Sequence, residues 1–312
     1  MSAVPRNRIR LLVVSGFLGS GKTTWLRHQL HAGRLRDRAV IVNEAAAAPV
    51  DEALLADLAR VTVISGGCAC CSRREAFLAV LRGHCNENRP RDVVLETSGL
   101  AEPAAIVAAV RDDPMLVHRI LIEEVVATVD ALSALARLAG DRLARAQVST
   151  ADALIVTKLD AADPQTAGRL AATLEALNPG ARITGAVKGE EVALPDHAHV
   201  LPQPLPVLDG LAEAGPVVAA DVDIDPAMGW EVFSVWLSAL LHVHGDDILR
   251  IKGVVRTPNG RVLLQCVQKA VLPPEILPEA PAADCRFDNR LAFIGRGFDK
   301  ERLKRSLAAF CS

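Results

Sequence analysis

Over the first 190 residues, short and almost wholly apolar runs alternate with longer Ala- and Leu-rich stretches. The runs Ile9–Val14, Ala39–Val42, Val61–Ile64, Val93–Leu95, Val125–Val129 and Ala153–Val156 read as strands. Several are apolar at every position, which is what a strand buried on both faces requires. Strand and helix signals in strict alternation predict a doubly wound, mostly parallel α/β domain. In such a sheet ligands bind outside the carboxyl ends of the strands, so the loops after Val14, Val42, Ile64, Leu95 and Val156 are where chemistry is expected.

The pattern changes after residue 194. Pro202, Pro204, Pro206 and Pro216 crowd one stretch, predicting a linker and an entry segment over 195–225, between a nucleotide-binding domain (1–194) and a smaller α+β domain (226–312). Val218, Ala220, Val222 and Ile224 alternate as in a strand. Trp230 to Val243 carries a helical apolar face. Ile248–Arg256 and Arg261–Val271 flank Thr257-Pro258-Asn259-Gly260, a turn suited to a hairpin. A last strand, Leu291–Ile294, precedes a helix for which Asp299 is a cap and Phe298 and Leu303 a hydrophobic staple.

Composition narrows the class. The 312 residues carry 35 Lys and Arg against 37 Asp and Glu, so no overall field recruits nucleic acid or an anionic membrane. No apolar run approaches the length of a membrane span, and Arg6, Arg8 and Arg10 stand directly before the first strand, so neither a membrane segment nor a signal peptide is expected. Seven cysteines, three of them within four positions, do not form the framework of a secreted domain. Reduced thiols in the cytoplasm are expected.

The stretch Gly16-Phe17-Leu18-Gly19-Ser20-Gly21-Lys22-Thr23-Thr24 lies between the first strand and a helix-like run beginning near Trp25. Small residues let successive backbone N–H groups turn toward phosphate oxygens, where a Cβ would obstruct them. Lys22 is placed to reach the β/γ-phosphates and Thr23 to offer its hydroxyl to Mg²⁺. After Leu95 comes Glu96-Thr97-Ser98-Gly99, which sets Glu96 as a second Mg²⁺ partner and Gly99 as a γ-phosphate sensor through its N–H. After Val156 comes Thr157-Lys158-Leu159-Asp160. The carboxylate of Asp160 can accept from both donors on the guanine edge, a pattern adenine lacks, and the stem of Lys158 can pack over the base. GTP is therefore the preferred nucleotide.

Gly66-Gly67-Cys68-Ala69-Cys70-Cys71 follows the third predicted strand. Neighbouring cysteines bridge each other poorly, whereas Cys68, Cys70 and Cys71 on one tight loop can converge on a borderline metal such as Zn²⁺, with a fourth ligand from elsewhere. A set of buried small residues in a turn, or a redox-active thiol pair, is the other reading of this loop. His197 with His199, and His242 with His244, read as surface or core histidines.

Together these segments resemble the CobW-type GTPases, P-loop proteins linked to metal delivery. The resemblance runs through Gly16–Thr24, Asn43-Glu44, Gly67–Cys71, Glu96–Pro103, Val129-Asp130-Ala131, Thr157–Asp160, Leu249–Gly253 and Phe293–Gly295. It implies a slow GTPase that binds Zn²⁺ or Co²⁺ at the cysteines and hands it to a client metalloprotein under nucleotide control. It also implies that Glu44 and Asp51 lie near the metal or the attacking water. The family's usual Phe-Gly-Glu after Asn-Glu is replaced by Ala45-Ala46-Ala47, which removes one acid and a glycine hinge; Thr157 stands where many relatives have Asn. A nucleotide-dependent homodimer is a further expectation, as related P-loop switches pair across their nucleotides. The alternative is a nucleotide-gated metal or thiol sensor in which hydrolysis is incidental. A small-molecule kinase is disfavoured for want of an acceptor-binding motif.

Overall fold

The computed structural model describes residues 8–44, 60–65, 73–87, 92–208, 218–245, 247–267, 270–277, 279, 288–297 and 299–310. The chain divides into two compact units, one of Arg6–Leu177 and Ala181–Gly210, the other of Asn178–Gly180 and Leu211–Ser312 with Met1–Pro5. Among the described residues no helix is long and apolar enough to cross a membrane.

The first unit runs β1 (Ile9–Gly16), α1 (Lys22–His31), β2 (Ala39–Glu44), β3 (Arg60–Ser65), α2 (Arg74–Cys85), β4 (Val93–Glu96), α3 (Pro103–Asp112), α4 (Leu116–Arg119), β5 (Ile120–Asp130), α5 (Ala134–Gly140), α6 (Arg142–Thr150), β6 (Ala153–Thr157), α7 (Pro164–Leu177), β7 (Arg182–Val187) and β8 (Glu190–Val192). They build one sheet in the order β3-β2-β4-β1-β5-β6-β7-β8, parallel except for the edge strand β8. All six predicted strands are present; five are slightly longer than their apolar runs, and β5 starts at Ile120, well before the predicted Val125. The pair β7 and β8 carries no continuous apolar run because edge strands are half exposed. Gly185 interrupts the first and two glutamates fill most of the second.

Each face of the sheet has its own core. On one side Leu26 and Leu30 of α1 pack on Leu12, Val14, Val40, Val42, Val94 and Ile155. On the other, Leu138, Val148, Leu170 and Leu174 from α5, α6 and α7 pack on Ala127, Val129, Leu154 and Val156. Leu26 is wholly buried, and truncating such a side chain to alanine costs about 2–5 kcal/mol. With both faces filled, the carboxyl edge is left to receive ligand. Helix α1 begins at Lys22, three residues ahead of the predicted start, because Gly21 takes the left-handed conformation (φ 88°, ψ 21°) and turns the chain into the helix at once.

The second unit runs β9 (Val218–Asp223), α8 (Trp230–His244), β10 (Ile248–Thr257), β11 (Gly260–Val267), β12 (Ala270–Val271), β13 (Glu275–Leu277), β14 (Arg290–Gly295) and α9 (Lys300–Ala309). Its antiparallel sheet, β12-β11-β10-β14-β9 with β13 beside β11, is covered by Phe233, Trp236, Leu237 and Leu240 of α8 and Leu303 and Leu307 of α9. Trp236 meets Phe293 edge-on at 6.0 Å and donates its indole N–H to Ser306 Oγ at 3.1 Å. Asp299 caps α9 by accepting from Arg302 N at 2.6 Å, while Phe298 lies outside the described residues. The predicted strand Arg261–Val271 is two strands. Cys266 pairs with Val271 and Val267 with Ala270 in antiparallel register. Alternation records apolar positions without recording that the chain reverses between them.

Helix α6 matters below because it carries a buried glutamine to the sheet edge. Asp141 starts it, accepting from Leu143 N at 2.8 Å and Ala144 N at 3.3 Å. Replacing Asp141 with alanine is expected to cost about 1 kcal/mol and to speed amide exchange in the first turn of α6; unchanged exchange there would show that the cap is idle.

Candidate nucleotide site

The glycine-rich loop is held by contacts from β5 and by one bond of its own, Ser20 N donating to Phe17 O at 3.1 Å. Gly16 ends β1 at φ 131°, so close to β5 that a Cβ would sit 2.3 Å from Thr128 O. Ser20 Oγ and Thr128 Oγ1 are 2.6 Å apart in the buried floor, and Thr128 Oγ1 also donates to Ser15 O at 3.3 Å. Gly19 and Gly21 take positive φ of 77° and 88°, which a glycine adopts without penalty. Lys22 is buried, donating to Gly16 O at 2.9 Å and Phe17 O at 3.0 Å, which folds its ammonium across the loop's mouth. No acidic residue occupies the first turn of α1, so the helix end keeps its partial positive charge. Thr24 follows, exposed at the edge of the cleft described below.

The loop after β4 stands against the glycine-rich loop. Thr23 Oγ1 donates to Glu96 Oε1 at 2.5 Å, bringing together a hydroxyl from the first turn of α1 and the carboxylate that ends β4, the strand paired with β1. Thr97 N continues the pairing by donating to Val14 O at 2.9 Å. Gly99 is compressed against the glycine-rich loop, where a Cβ would lie 2.6 Å from Leu18 N and 2.8 Å from Leu18 Cα. Its carbonyl is held from behind by Gln147 of α6, whose Nε2 donates to Gly99 O at 3.2 Å and Ala101 O at 2.9 Å. Gln147 is fully buried and was not among the residues read from the sequence. A lone glutamine in an Ala-rich helix carries no signal of its own.

A cleft of about 180 Å³ opens beside the loop, lined by Gly21, Thr24, Trp25, Thr157, Lys158, Asp160, Lys188 and Gly189. Thr157 lines it, but its hydroxyl is turned to the loop. Its hydroxyl donates to Ser20 O at 2.8 Å and so ties the end of β6 to the glycine-rich loop. Lys158 is left-handed (φ 59°, ψ 33°), and its ammonium lies 2.7 Å from Asp130 Oδ2. Asp160 follows in the short 3-10 turn Leu159–Ala161, its side chain exposed to the cleft. Asp130 also accepts from Leu132 N at 2.8 Å and Ser133 Oγ at 3.2 Å. Burial works against its charge most strongly. The bonds from Lys158, the Leu132 N–H and Ser133 together outweigh that and hold the carboxyl below its ordinary range.

The far wall of the cleft is the β7–β8 turn, Lys188-Gly189, with φ of 50° and 92° between the paired Val187 and Glu190. A two-residue turn with both central φ positive is the favoured hairpin connection. It packs hard on α1: a Cβ on Gly189 would meet His28 Cβ at 2.4 Å and Thr24 O at 2.9 Å, and Gln29 Nε2 donates to Gly189 O at 3.2 Å. A Lys-Gly pair flanked by Ile183 and Val192 was the available signal for this wall.

Of the remaining candidates, Glu44 closes β2 opposite Ser65 of β3. Asp51, Cys68, Cys70 and Cys71 lie outside the described residues. The last described residue before the cysteines, Ser65, is at the carboxyl edge of β3, three strands from β1 through β4 and β2, roughly 14 Å at ordinary strand spacing. Asn43 Nδ2 donates across to Ile64 O at 3.2 Å. His197 is engaged by Pro195 O and Glu175 Oε1, both at 2.9 Å, which raises its pKa, chiefly through the Pro195 carbonyl. Among the described residues no group of three or more His, Cys, Asp or Glu is placed to hold a metal.

A phosphate-type loop with a Thr–Glu pair beside it and an acid-lined cleft at the adjacent strand exits defines the class as a P-loop protein. Residues 10–185 match the family described as CobW/HypB/UreG, nucleotide-binding domain, and residues 217–311 match the cobalamin synthesis protein cobW C-terminal domain. The chain belongs to the CobW/HypB/UreG family of P-loop GTPases. It is 29% identical over 319 residues to the zinc chaperone YjiA of Escherichia coli (strain K12), covering 97% of this chain and 98% of that one. It is 29% identical over 360 residues to the zinc chaperone CobW of Pseudomonas aeruginosa, covering 96% and 91%. The crystal structure of the Zn(II)-bound YjiA GTPase from E. coli shares the fold, with a TM-score of 0.62 at 21% identity over 97% of this chain and 99% of that one.

The Gly189 wall makes a prediction of its own. Gly189→Ala forces a Cβ into His28 at a positive φ and is expected to destabilise the unit by about 1–3 kcal/mol. Calorimetry is also expected to show guanine-nucleotide affinity reduced several-fold; unchanged affinity would remove the hairpin from the site.

Proposed function

We propose that the chain is a GTP-hydrolysing metallochaperone that carries Zn²⁺ or Co²⁺ at Cys68, Cys70 and Cys71 and passes it to a client metalloprotein under nucleotide control. The observation that carries the nucleotide half is the 2.5 Å contact between Thr23 and Glu96 beside the buried Lys22. A hydroxyl and a carboxylate, both hard oxygen donors, fit Mg²⁺, which takes oxygen ligands and keeps several waters. Mg²⁺ bound there neutralises charge building on the β- and γ-phosphates. In this reading Gly16, Gly19, Ser20, Gly21, Thr23 and Thr24 supply backbone donors to the phosphates. Lys22 leaves the loop carbonyls for the β/γ-phosphates, and Gly99 N–H meets the γ-phosphate. Glu44 and Asp51 act near the attacking water or the metal. Asp160 accepts from the guanine edge while Thr157 and Lys158 shape the cleft.

Support for the metal half comes from the Cys-x-Cys-Cys sequence after β3, the parallel order that brings β3 to the same sheet edge as the nucleotide loop, and relatives named zinc chaperones. The thiols are expected to be reduced, as in the cytoplasm, and Cys85 and Cys266 are buried. A GTP-bound homodimer belongs to the same reading, since the γ-phosphate edge is where a second copy would face.

Two measurements test it. Zn²⁺ and Co²⁺ titrations of the reduced protein, with GDP and with a non-hydrolysable GTP analogue, are expected to show stoichiometric binding, a thiolate charge-transfer band with Co²⁺, and an affinity that shifts with nucleotide. By reciprocity the metal then shifts nucleotide affinity by the same factor. Serine at positions 68, 70 and 71 together should abolish metal binding and leave GTP binding intact. Metal binding indifferent to nucleotide would leave a sensor or a plain metalloprotein. Separately, Asp160→Ala is expected to cut the preference for GTP over ATP roughly ten- to a hundredfold, the range for a lost hydrogen-bonded charge. Intrinsic turnover is expected on the order of 10⁻⁴ to 10⁻² s⁻¹; steady turnover near ~10 s⁻¹ without a partner would point to a different enzyme class.

A further inference from the structure

Lys158 and Asp130 leave the strand ends side by side. Asp130, the last residue of β5, is paired in register with Thr157 of β6, and Ala131 N donates to Thr157 O at 3.0 Å, which clamps the two exits together. From there Lys158, in its left-handed conformation, sends its side chain sideways to the neighbouring strand. The two ends of that side chain have unlike surroundings. The Lys158 side chain is 41% exposed while the Asp130 carboxylate that receives its ammonium is 9% exposed, so the stem lies open along the cleft with its tip pinned in the wall. Every oxygen of Asp130 is used, Oδ1 by Leu132 N and Oδ2 by Lys158 and Ser133.

We propose that Asp130 is a specificity-positioning residue of the nucleotide cleft: by anchoring the ammonium of Lys158 it locks the left-handed turn at Lys158 that aims Asp160 at the guanine edge. The inference rests on the guanine reading of the cleft and adds a residue to which that reading gave no role. An unanchored lysine samples many rotamers and leaves the turn before Asp160 less restrained, so the carboxylate would have to be ordered when guanine binds; an anchored one has met that cost beforehand. The left-handed conformation of a non-glycine residue likewise persists only where surrounding contacts over-determine it. Exposed ion pairs hold side chains weakly, but here the acid is buried and already fixed by two other donors. Asp130 touches neither base nor phosphate in this scheme and acts through Lys158.

Asparagine at 130 separates the charge from the turn. Its Oδ1 can still accept from Leu132 N, which keeps the bend after β5, while its amide N–H₂ would face the ammonium of Lys158 as donor against donor. The experiment measures GTP, GDP and ATP dissociation constants by titration calorimetry for the wild type, Asp130→Asn, Lys158→Met and the double variant, with thermal unfolding as a check on folding. Asp130→Asn is expected to lower the GTP-over-ATP preference about tenfold, the effect of removing a charge-assisted bond, with ATP affinity changed by less than about twofold. Lys158→Met is expected to do the same, and the double variant to be no worse than Lys158→Met alone, the non-additivity that marks action through a shared partner. If Asp130→Asn does not fold, Lys158→Met reads the same anchor from its other end, and retained GTP preference there overturns the proposal. Equal losses for GTP and ATP, or additive losses in the double variant, would make Asp130 a general support and overturn it as well. A wild type without preference for GTP overturns the reading of the cleft and this inference with it, whereas a selective wild type with an unchanged Asp130→Asn overturns the inference alone.

Discussion

Two threonines from different strands reach into the glycine-rich loop from below, Thr128 to the hydroxyl of Ser20 and Thr157 to its carbonyl. A loop that must turn its N–H groups toward an anion cannot satisfy its own carbonyls and hydroxyls in the usual way, and each one left buried without a partner would cost about 1–3 kcal/mol. The neighbouring strands β5 and β6 supply those partners. Lys22 adds a third restraint from above, bridging Gly16 O and Phe17 O. The loop is thus shaped before any ligand arrives, and its geometry depends on the parallel register that sets Gly16 beside Thr128.

The segment after β4 depends on that loop in turn. Gly99 has no room for a side chain because Leu18 fills the space, and its carbonyl is fastened to Gln147 on the opposite side. Any displacement of Gly99 would therefore load its bond to α6. The same helix sends Arg145 to Pro206 O at 2.8 Å, in the Pro-rich stretch at the end of the first unit.

Much of this was legible in the chain. Six strands announced themselves as largely apolar runs, with Ala39–Val42, Val93–Leu95 and Ala153–Val156 apolar throughout, since a strand covered on both faces has few polar positions to spare. Gly16–Thr24, Glu96–Gly99 and Thr157–Asp160 followed those runs, and the loops after parallel strands all open on one edge. The cap at Asp299 was equally local. The exposed edge was harder, because β7 and β8 have too few apolar residues to register, and the split of Arg261–Val271 into β11 and β12 leaves no mark on alternation.

Residue types and their order along the chain by themselves determined the parallel sheet, the phosphate-type loop, the acid after β4, the acid after β6 and the cluster of three cysteines, because each is encoded within a few consecutive positions. Tertiary structure alone decided that Lys158 is drawn to Asp130, 28 residues away, that the Thr157 hydroxyl is bonded to the loop, that Gln147 holds Gly99, and that Lys188-Gly189 closes the far wall. Those pairings join segments far apart in sequence, and a hydrogen bond between strand exits is set by sheet order and register, which no local pattern of polar and apolar residues records.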